Sequence, residues 1–213
     1  ILFVDESSKL NHRHEEAFFD DFARQPLAPL QFSRLGPGVA WHDGDGDGWE
    51  DLVIGGGRGG RIAVFANDGK GGFARKHSAA LDRDLARDLT GIAGTGATLF
   101  AGSSNCEDGL TNGGCARIYD FEGKFSGEIV LGPNSSTGPI ALADIDGDGD
   151  LDLFVGGRVV PGRYPEAAES KLMRNNGGRF TLAQRIEGAG LVSGAVFSDL
   201  DGDGDPEIGR AHV

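Results

Sequence analysis

The chain has 213 residues, 38% of them apolar, so it is long enough to bury a hydrophobic core of ordinary size. Its formal net charge of −13 argues against nucleic acid or an anionic membrane as a partner, because both attract basic surfaces. No apolar run approaches the roughly 18 residues of a transmembrane segment, and 37 glycines without a collagen period indicate many tight turns between short strands.

Residues 1–35 form an N-terminal lead-in that lacks the repeated pattern of the rest of the chain. We expect this segment to pack on the first repeat. Within it, Glu15–Ala23 is predicted to form a short amphipathic helix with Phe18, Phe19 and Phe22 on its buried side. The following "QPLAPL" ends any helix, because proline lacks the amide hydrogen that a helix interior uses.

The first repeat contains an acidic stretch, "HDGDGDGWEDLVIGGG" (His42–Gly57), which runs directly into an apolar strand. Carboxylates at alternate positions of a tightly wound loop can converge on one centre, and the intervening glycines allow the backbone angles that such winding requires. Ca²⁺ takes six to eight oxygen ligands from carboxylates, carbonyls and water. We therefore predict a Ca²⁺ site made of the side chains of Asp43, Asp45, Asp47 and Asp51 and the carbonyl of Trp49.

Two more copies of the acidic loop follow later in the chain, "ADIDGDGDLDLFVGGR" from Ala143 and "SDLDGDGDPEI" from Ser198. The second loop is predicted to use the side chains of Asp144, Asp146, Asp148 and Asp152 with the carbonyl of Asp150. The third is predicted to use Asp199, Asp201, Asp203 and Glu207 with the carbonyl of Asp205. Two to three bound Ca²⁺ ions are expected in total.

Neither an EF-hand nor a Mg²⁺ or Zn²⁺ site fits the acidic loops as well as this Ca²⁺ arrangement does. An EF-hand needs a bidentate Glu at position twelve, where the first two loops carry Ile54 and Val155. Mg²⁺ prefers few protein ligands in rigid octahedral geometry, and Zn²⁺ prefers His or Cys. The remaining alternative is a solvated acidic turn, which does not explain three copies of the same spacing before an apolar strand.

A repeat without acids lies between the first and second acidic loops. The strands that feed the acidic loops are about 100 and then about 55 residues apart, so a period near 50 predicts a hidden copy midway. "LTGIAGTGATLFAGSS" (Leu89–Ser104) has the two strands of that copy, but its loop is shortened to "GTG". We interpret it as a degenerate repeat.

The two cysteines, Cys106 and Cys115, bracket a turn-rich octet between two apolar runs. Facing positions near the end of a hairpin can bring two Cα atoms within disulfide range. We therefore predict a disulfide, which would favour an oxidising compartment. The alternative is a pair of free thiols in a loop.

Each repeat is predicted to contain four short strands. After the two strands around the loop comes a third (Arg61–Asn67, Ala116–Phe121, Lys171–Asn175), and a fourth begins at Phe73, Phe125 and Phe180. This pattern is typical of a β-propeller blade. We expect an all-β fold, a partial, truncated β-propeller of four-stranded antiparallel blades with Ca²⁺-binding loops, with three blades and the start of a fourth in residues 36–207. Residues 208–213 match the translation of a common sequencing-adapter stretch, so we expect a non-native tail.

The repeated DxDxDGxxD pattern followed by an apolar strand ending in glycines resembles the FG-GAP/VCBS repeats, as in the calcium-loop blades of integrin α-subunit propellers. The literal Phe-Gly and Gly-Ala-Pro signatures are absent; "LGP" (Leu35–Pro37), "GGG" and "GGR" take comparable places. The lead-in, with "FFDDFARQPLAPLQFSRLGP", is similar to the opening of secreted bacterial VCBS proteins related to the cartilage-acidic-protein and ASPIC/UnbV group. The resemblance implies structural Ca²⁺ sites at blade edges and an extracellular module for adhesion or recognition.

No local motif indicates a catalytic site such as a Ser–His–Asp triad, and we expect no enzyme activity. His12, His14 and Glu15 could form a metal site or a solvated surface. Three functions stay open: a non-catalytic module that binds a protein or glycan, the propeller portion of a larger secreted carbohydrate-active enzyme, and a purely structural repeat. An extracellular, cell-surface or periplasmic location is expected. Ile1 is not an initiator methionine and no signal peptide is present, so the natural chain is expected to begin earlier.

Overall fold

The computed structural model describes residues 4–108, 113–130 and 135–212. Within these ranges the chain forms fourteen β-strands and very little helix. The strands are β1 (Val39–His42), β2 (Asp51–Ile54), β3 (Ala63–Asn67), β4 (Phe73–Arg75), β5 (Leu89–Thr95), β6 (Thr98–Ser103), β7 (Cys115–Asp120), β8 (Phe125–Val130), β9 (Ser136–Ala143), β10 (Asp152–Val159), β11 (Ser170–Asn176), β12 (Arg179–Ile186), β13 (Val192–Ser198) and β14 (Glu207–His212).

The strands form four sheets in chain order. The first three sheets contain β1–β4, β5–β8 and β9–β12, and the fourth contains β13 and β14. Within each sheet, strands that are consecutive in the chain pair antiparallel. The opening strands lie side by side, since β1 neighbours β5, β5 neighbours β9 and β9 neighbours β13. The expected all-β fold of four-stranded antiparallel repeats is confirmed at this level, while closure into a propeller stays a prediction.

The inner strands of the sheets are buried on both faces, which explains their continuous apolar sequences. Successive side chains of a strand point to opposite faces, and Leu99 packs against the first sheet while Phe100 packs against the third. In the third sheet, Leu153 packs toward the second sheet and Phe154 toward the fourth. Burying one such side chain stabilises the fold by about 1.5–3 kcal/mol.

The N-terminal lead-in covers the outer face of the first sheet and then crosses the loops of the other sheets. Leu10 joins the apolar cluster of the first sheet, and the ring of His12 lies 5.9 Å from that of Phe65. Farther along, Gln25 Nε2 donates to the Tyr164 carbonyl at 2.6 Å, and the Tyr164 amide donates back to Gln25 Oε1 at 3.0 Å. The segment therefore binds the first and third sheets together.

The predicted helix over Glu15–Ala23 was wrong, because only one helical turn forms, at Asp21–Arg24. Phe18 is 76% exposed and Phe22 is 42% exposed, so they do not form a buried stripe. The backbone upstream bonds to a loop instead, with the Ala17 amide donating to the Arg58 carbonyl at 2.7 Å. Tertiary hydrogen bonds thus override the local helical periodicity.

The predicted disulfide was also wrong, since Cys106 and Cys115 are both buried free thiols. The strand register explains the result: Cys115 on β7 lies opposite Ser103 on β6, and Cys106 lies beyond the end of β6. The Cys106 thiol contacts Ser136 Oγ at 3.2 Å, and the Cys115 thiol faces Glu128 Oε2 at 3.8 Å.

Two further predictions concern the ends of the repeats. The fourth strands begin at or next to the expected phenylalanines, with β4 starting at Phe73 and β8 at Phe125. Residues 208–212 of the suspected tail lie in β14, paired with β13, and Val213 lies outside the described residues. None of the helices in the described ranges has the length and apolarity that crossing a bilayer requires.

Candidate metal centres

Each acidic loop joins the first and second strands of its sheet, at β1–β2, β9–β10 and β13–β14. In every case the last acid of the predicted set opens the second strand and faces the final residue of the first strand. These register pairs are Asp51 with His42, Asp152 with Ala143, and Glu207 with Ser198. The three loops therefore occupy the same structural position.

The first acid of each loop accepts hydrogen bonds from the loop backbone. In the first loop, Asp43 Oδ1 accepts from the Gly46 amide at 2.8 Å, and its Oδ2 accepts from the Gly48 amide at 3.0 Å. Gly46 and Gly48 have φ values of 76° and 91°, a region that only glycine adopts without strain. The glycines thus let the loop wind around Asp43.

The other two loops repeat this geometry. Asp144 accepts from the amides of Gly147 and Gly149 at 2.8 and 2.9 Å, and Asp199 accepts from those of Gly202 and Gly204 at 2.7 and 3.1 Å. The four glycines have φ values of 74°, 93°, 78° and 96°. The shared sequence pattern thus encodes one shared loop conformation.

The last acid fastens each loop to the sheet. Asp51, which is completely buried, accepts from the amides of Gly44 at 3.1 Å and Asn67 at 2.8 Å. The buried Asp152 does the same with the amides of Ile145 and Asn175, at 3.0 and 2.7 Å. In the third loop, Glu207 Oε2 accepts from the Leu200 amide at 2.9 Å. The last acid, which belongs to the second strand, is therefore hydrogen-bonded to the loop. In the first and third sheets it is also hydrogen-bonded to the third strand of its sheet.

Three acids in each loop come close enough to hold one cation. One ligand oxygen from each lies within 4.8 Å of the others in the sets Asp43/Asp45/Asp51, Asp144/Asp146/Asp152 and Asp199/Asp201/Asp203. Two oxygens on opposite sides of a Ca²⁺ ion at about 2.4 Å each would be about 4.8 Å apart. The spacing and the all-oxygen donor set therefore fit a hard divalent cation.

The remaining predicted ligands lie in the same loops. Oδ1 of Asp47, Asp148 and Asp203 accepts from the amide two residues later, which belongs to Trp49, Asp150 and Asp205 respectively, at 2.8 to 2.9 Å. Asp150 Oδ2 also accepts from the Gly177 amide at 2.7 Å. Carbonyl ligation by Trp49, Asp150 and Asp205 stays a prediction.

The electrostatic environment differs among the acids of a loop. Burial raises the pKa of Asp51, and the hydrogen bonds from Asn67 and Gly44 oppose this rise. The pKa of Asp144 is lowered, chiefly by the hydrogen bond from the Gly149 amide. In the second loop, Arg174 Nε lies 2.9 Å from Asp146 Oδ2 and neutralises part of the local charge.

The turn of the second sheet is different, as the shortened "GTG" loop predicts. Thr95 and Thr98 pair directly, and only Gly96 and Ala97 lie between β5 and β6. Thr98 takes the position that Asp51 occupies in the first sheet, as the first residue of the second strand. This hairpin therefore closes without any carboxylate.

One buried acidic pair was not predicted. Glu107 has a side chain that is 4% exposed, Asp88 is 3% exposed, and Arg58 Nε lies 3.2 Å from Glu107 Oε1. Burial and the nearby Asp88 raise the pKa of Glu107 to about 7, and burial also raises the pKa of Asp88. The two carboxyls can share a hydrogen bond only if one is protonated. No sequence motif marks the pair, since its members lie in separate loops.

The histidines of the lead-in are placed apart from these sites. His12 packs edge-on against Phe65, and His14 Nε2 lies 3.2 Å from Glu16 Oε2. In the part of the chain that the structure describes, His12, His14 and Glu15 do not form a group with the spacing of metal ligands. The solvated-surface alternative fits the exposed His14 and Glu15, whereas His12 is partly buried against Phe65.

Comparisons with known proteins give no family assignment. The chain matches no protein-family model, and a search of curated proteins finds no match. Function is therefore inferred from the geometry of the loops and from the repeated sheets.

Proposed function

We propose that the chain is a Ca²⁺-binding β-propeller module of the FG-GAP/VCBS kind, which serves in adhesion or recognition of a protein or glycan outside the cytoplasm and performs no chemistry. The observation that carries this proposal is the threefold recurrence of one loop, with the same hydrogen bonds to its first acid and a cluster of three carboxylates in each copy. Clustered carboxylates repel each other, and a turn that only faces solvent would not require three copies of this arrangement.

The residues that would hold each ion are the acids of the three clusters together with the other predicted ligands of the same loops. A bound Ca²⁺ ion would supply positive charge where the carboxylates repel each other. Because only the folded loop gathers the ligands, binding energy becomes folding energy. The role supported by this position, at the turn between two paired strands, is structural.

The propeller arrangement is supported by the contacts between sheets. The opening strand of each sheet lies beside the opening strand of the next, and apolar layers fill the space between consecutive sheets. Blades around a common axis are related in this way. A rigid platform of stacked sheets suits a display function, in which loops at the two ends of the strands contact a partner.

Thermal unfolding with and without chelator tests the proposal. Three sites, each filled at 100 times its Kd, would contribute about 2.7 kcal/mol apiece, so we expect chelation to lower Tm by about 15 °C or more. Ca²⁺ should restore the loss at concentrations where Mg²⁺ does not. An equal recovery of Tm with both ions, or a Tm that does not change on addition of chelator, would contradict the proposal.

A matched variant isolates the loops from general salt effects. Asp45→Asn, Asp146→Asn and Asp201→Asn each remove one exposed cluster carboxylate and keep its shape. Isothermal titration should count one fewer Ca²⁺ ion for each substitution. The control is Asp68→Asn, in the β3–β4 turn of the first sheet, which should leave the ion count unchanged.

A further inference from the structure

In the first and third acidic loops, the second acid is hydrogen-bonded to its own loop. The Asp47 amide donates to Asp45 Oδ1 at 3.3 Å, and the Asp203 amide donates to Asp201 Oδ1 at 3.2 Å. Both carboxylates are exposed. In the residues that the structure describes, neither of them is paired with a basic side chain.

The second loop has a different arrangement at this acid. The Asp148 amide donates to Asp144 Oδ1 at 3.2 Å, and the carboxylate of Asp146 lies against a guanidinium, with Arg174 Nε 2.9 Å from Asp146 Oδ2. Asp146 is one of the three acids whose oxygens come within 4.8 Å of one another in this loop. A permanent positive charge therefore contacts one of the candidate ligands.

The position of Arg174 in its sheet explains why the other loops lack this contact. Arg174 lies on β11 directly before Asn175, whose amide donates to the last acid of the second loop. Asn67 makes the same contact in the first sheet, and the residue before it is Ala66. The fourth sheet contains only β13 and β14 in the described ranges, so it has no third strand to supply a side chain at this place.

A positive charge in this position opposes the binding of a cation to the second loop. Like charges a few ångströms apart repel even in water, and the double charge of the ion doubles the effect. The Arg174 side chain is 46% exposed, so water is the appropriate medium, and the repulsion corresponds to about a tenfold loss of affinity. The second and third loops carry acids at the same five positions, so Arg174 adds a positive charge to one of two loops with equal charge of their own.

We propose that Arg174 is a built-in counter-ion of the second loop, which makes this loop the weakest of the three cation sites and the last to fill as the Ca²⁺ concentration rises. The inference rests on the proposed Ca²⁺-binding function, to which it adds the residue that sets the order of filling. Two loops then hold their ions at low Ca²⁺, while the occupancy of the second loop follows the Ca²⁺ concentration of the surroundings.

A site-resolved Ca²⁺ titration of the full chain tests the inference. The amides of Gly46, Gly147 and Gly202 each donate to the first acid of a different loop, so their chemical shifts report the three loops separately. We expect the Gly147 resonance to reach its midpoint at about tenfold higher Ca²⁺ concentration than the other two. Arg174→Gln should remove this difference and leave the other two midpoints in place.

Three further variants separate charge from packing. Arg174→Lys keeps the positive charge and should leave the second loop the weakest. Arg179→Gln removes the same charge from the start of β12 and should change the three midpoints by less than about twofold, because solvent and salt screen a charge without contact. Ala66→Arg places a guanidinium at the matching position of the first sheet and should weaken the first loop about tenfold.

Thermal unfolding gives a readout that does not require a bound ion. In chelator, Arg174→Gln leaves the acids of the second loop without their counter-charge and should lower Tm by up to about 3 °C. In excess Ca²⁺ the tighter binding should offset this loss, so the variant should melt no lower than the unchanged chain. An equal loss of Tm in both solutions would show that Arg174 has only a structural role.

The titration also separates failure of this inference from failure of the proposed function. If all three glycine amides respond to Ca²⁺ with equal midpoints, or if Arg174→Gln leaves the Gly147 midpoint unchanged, only the role of Arg174 is overturned. The same holds if Arg174→Lys tightens the second loop as much as Arg174→Gln does. If none of the three amides responds to Ca²⁺, the Ca²⁺-binding function fails and this inference fails with it.

Discussion

The first and second sheets share one strand order but bring carboxyl groups together at opposite ends of their strands. In the first sheet, Asp43, Asp45 and Asp51 gather in the β1–β2 loop, next to solvent. In the second sheet that turn has no acid, and the close pair is Asp88 and Glu107, buried at the far end of β5 and β6. The repulsion between clustered carboxylates can be relieved by a bound cation or by protonation of one of them. An exposed group of three favours a cation, and a buried pair favours protonation.

The largest effect is expected when the last acid of one loop is removed, and the matching residue of the second sheet serves as its control. Asp152→Ala leaves the amides of Ile145 and Asn175 without their acceptor. Losing two such hydrogen bonds inside the fold should cost about 3–4 kcal/mol of unfolding free energy. Thr98→Ala, at the matching position of the second sheet, should cost less than about 1 kcal/mol.

Urea denaturation in the presence of chelator measures both changes without a contribution from bound ions. A similar loss for Asp152→Ala and Thr98→Ala would show that the last acid does not fasten its loop. Adding Ca²⁺ should widen the gap between the two variants, since only the first also loses a cation site.

The second test concerns the protonation of Glu107. Because the folded pKa is raised to about 7 from an ordinary value of 4.5, the stabilising contribution is full below pH 4.5 and is lost as the pH rises through 7. The full change in pKa corresponds to roughly 3 kcal/mol, most of it lost between pH 5 and pH 8. Glu107→Gln keeps the shape of the side chain and removes its titration.

The unfolding free energy of the unchanged chain minus that of Glu107→Gln, measured from pH 5 to pH 8 in chelator, isolates this group from the other acids. We expect the difference to fall by about that amount as the pH rises. A flat difference would mean that Glu107 is ionised throughout and that Arg58 alone compensates it.

The smallest effect is expected at the cysteines of the second sheet. Burial raises the pKa of both Cys106 and Cys115, which lowers their reactivity toward thiol reagents. A reducing agent should therefore shift Tm by less than about 1 °C, and both thiols should be labelled only after unfolding. A native mass lower by two hydrogens would indicate a disulfide and contradict the register of β6 and β7.

The acidic loops and most strand ends could be predicted because their causes lie within a few residues. Alternating aspartates and glycines specify the loop around Asp43, and the same spacing repeats at Asp144 and Asp199. Continuous apolar runs identify strands that are buried on both faces. Local periodicity was therefore sufficient for the repeated sheets and for the shared loop conformation, while metal ligation stays a prediction.

The features that escaped prediction depend on contacts between distant parts of the chain. The helix expected over Glu15–Ala23 gives way to a hydrogen bond with Arg58, and the expected disulfide fails because Cys106 lies beyond the strand that faces Cys115. The Asp88–Glu107 pair combines two separate loops. The spacing of residues along the sequence gives no information about such long-range contacts.

The hydrogen bonds between Gln25 and Tyr164 have a consequence for how the protein is made. The two residues are 139 positions apart, whereas the strands of each sheet pair with their immediate neighbours in the chain. During synthesis on the ribosome, each sheet can form soon after it emerges, because its pairings are local. The Gln25 contact must wait until Tyr164 has emerged, so we expect this part of the lead-in to reach its final position after the first two sheets have formed.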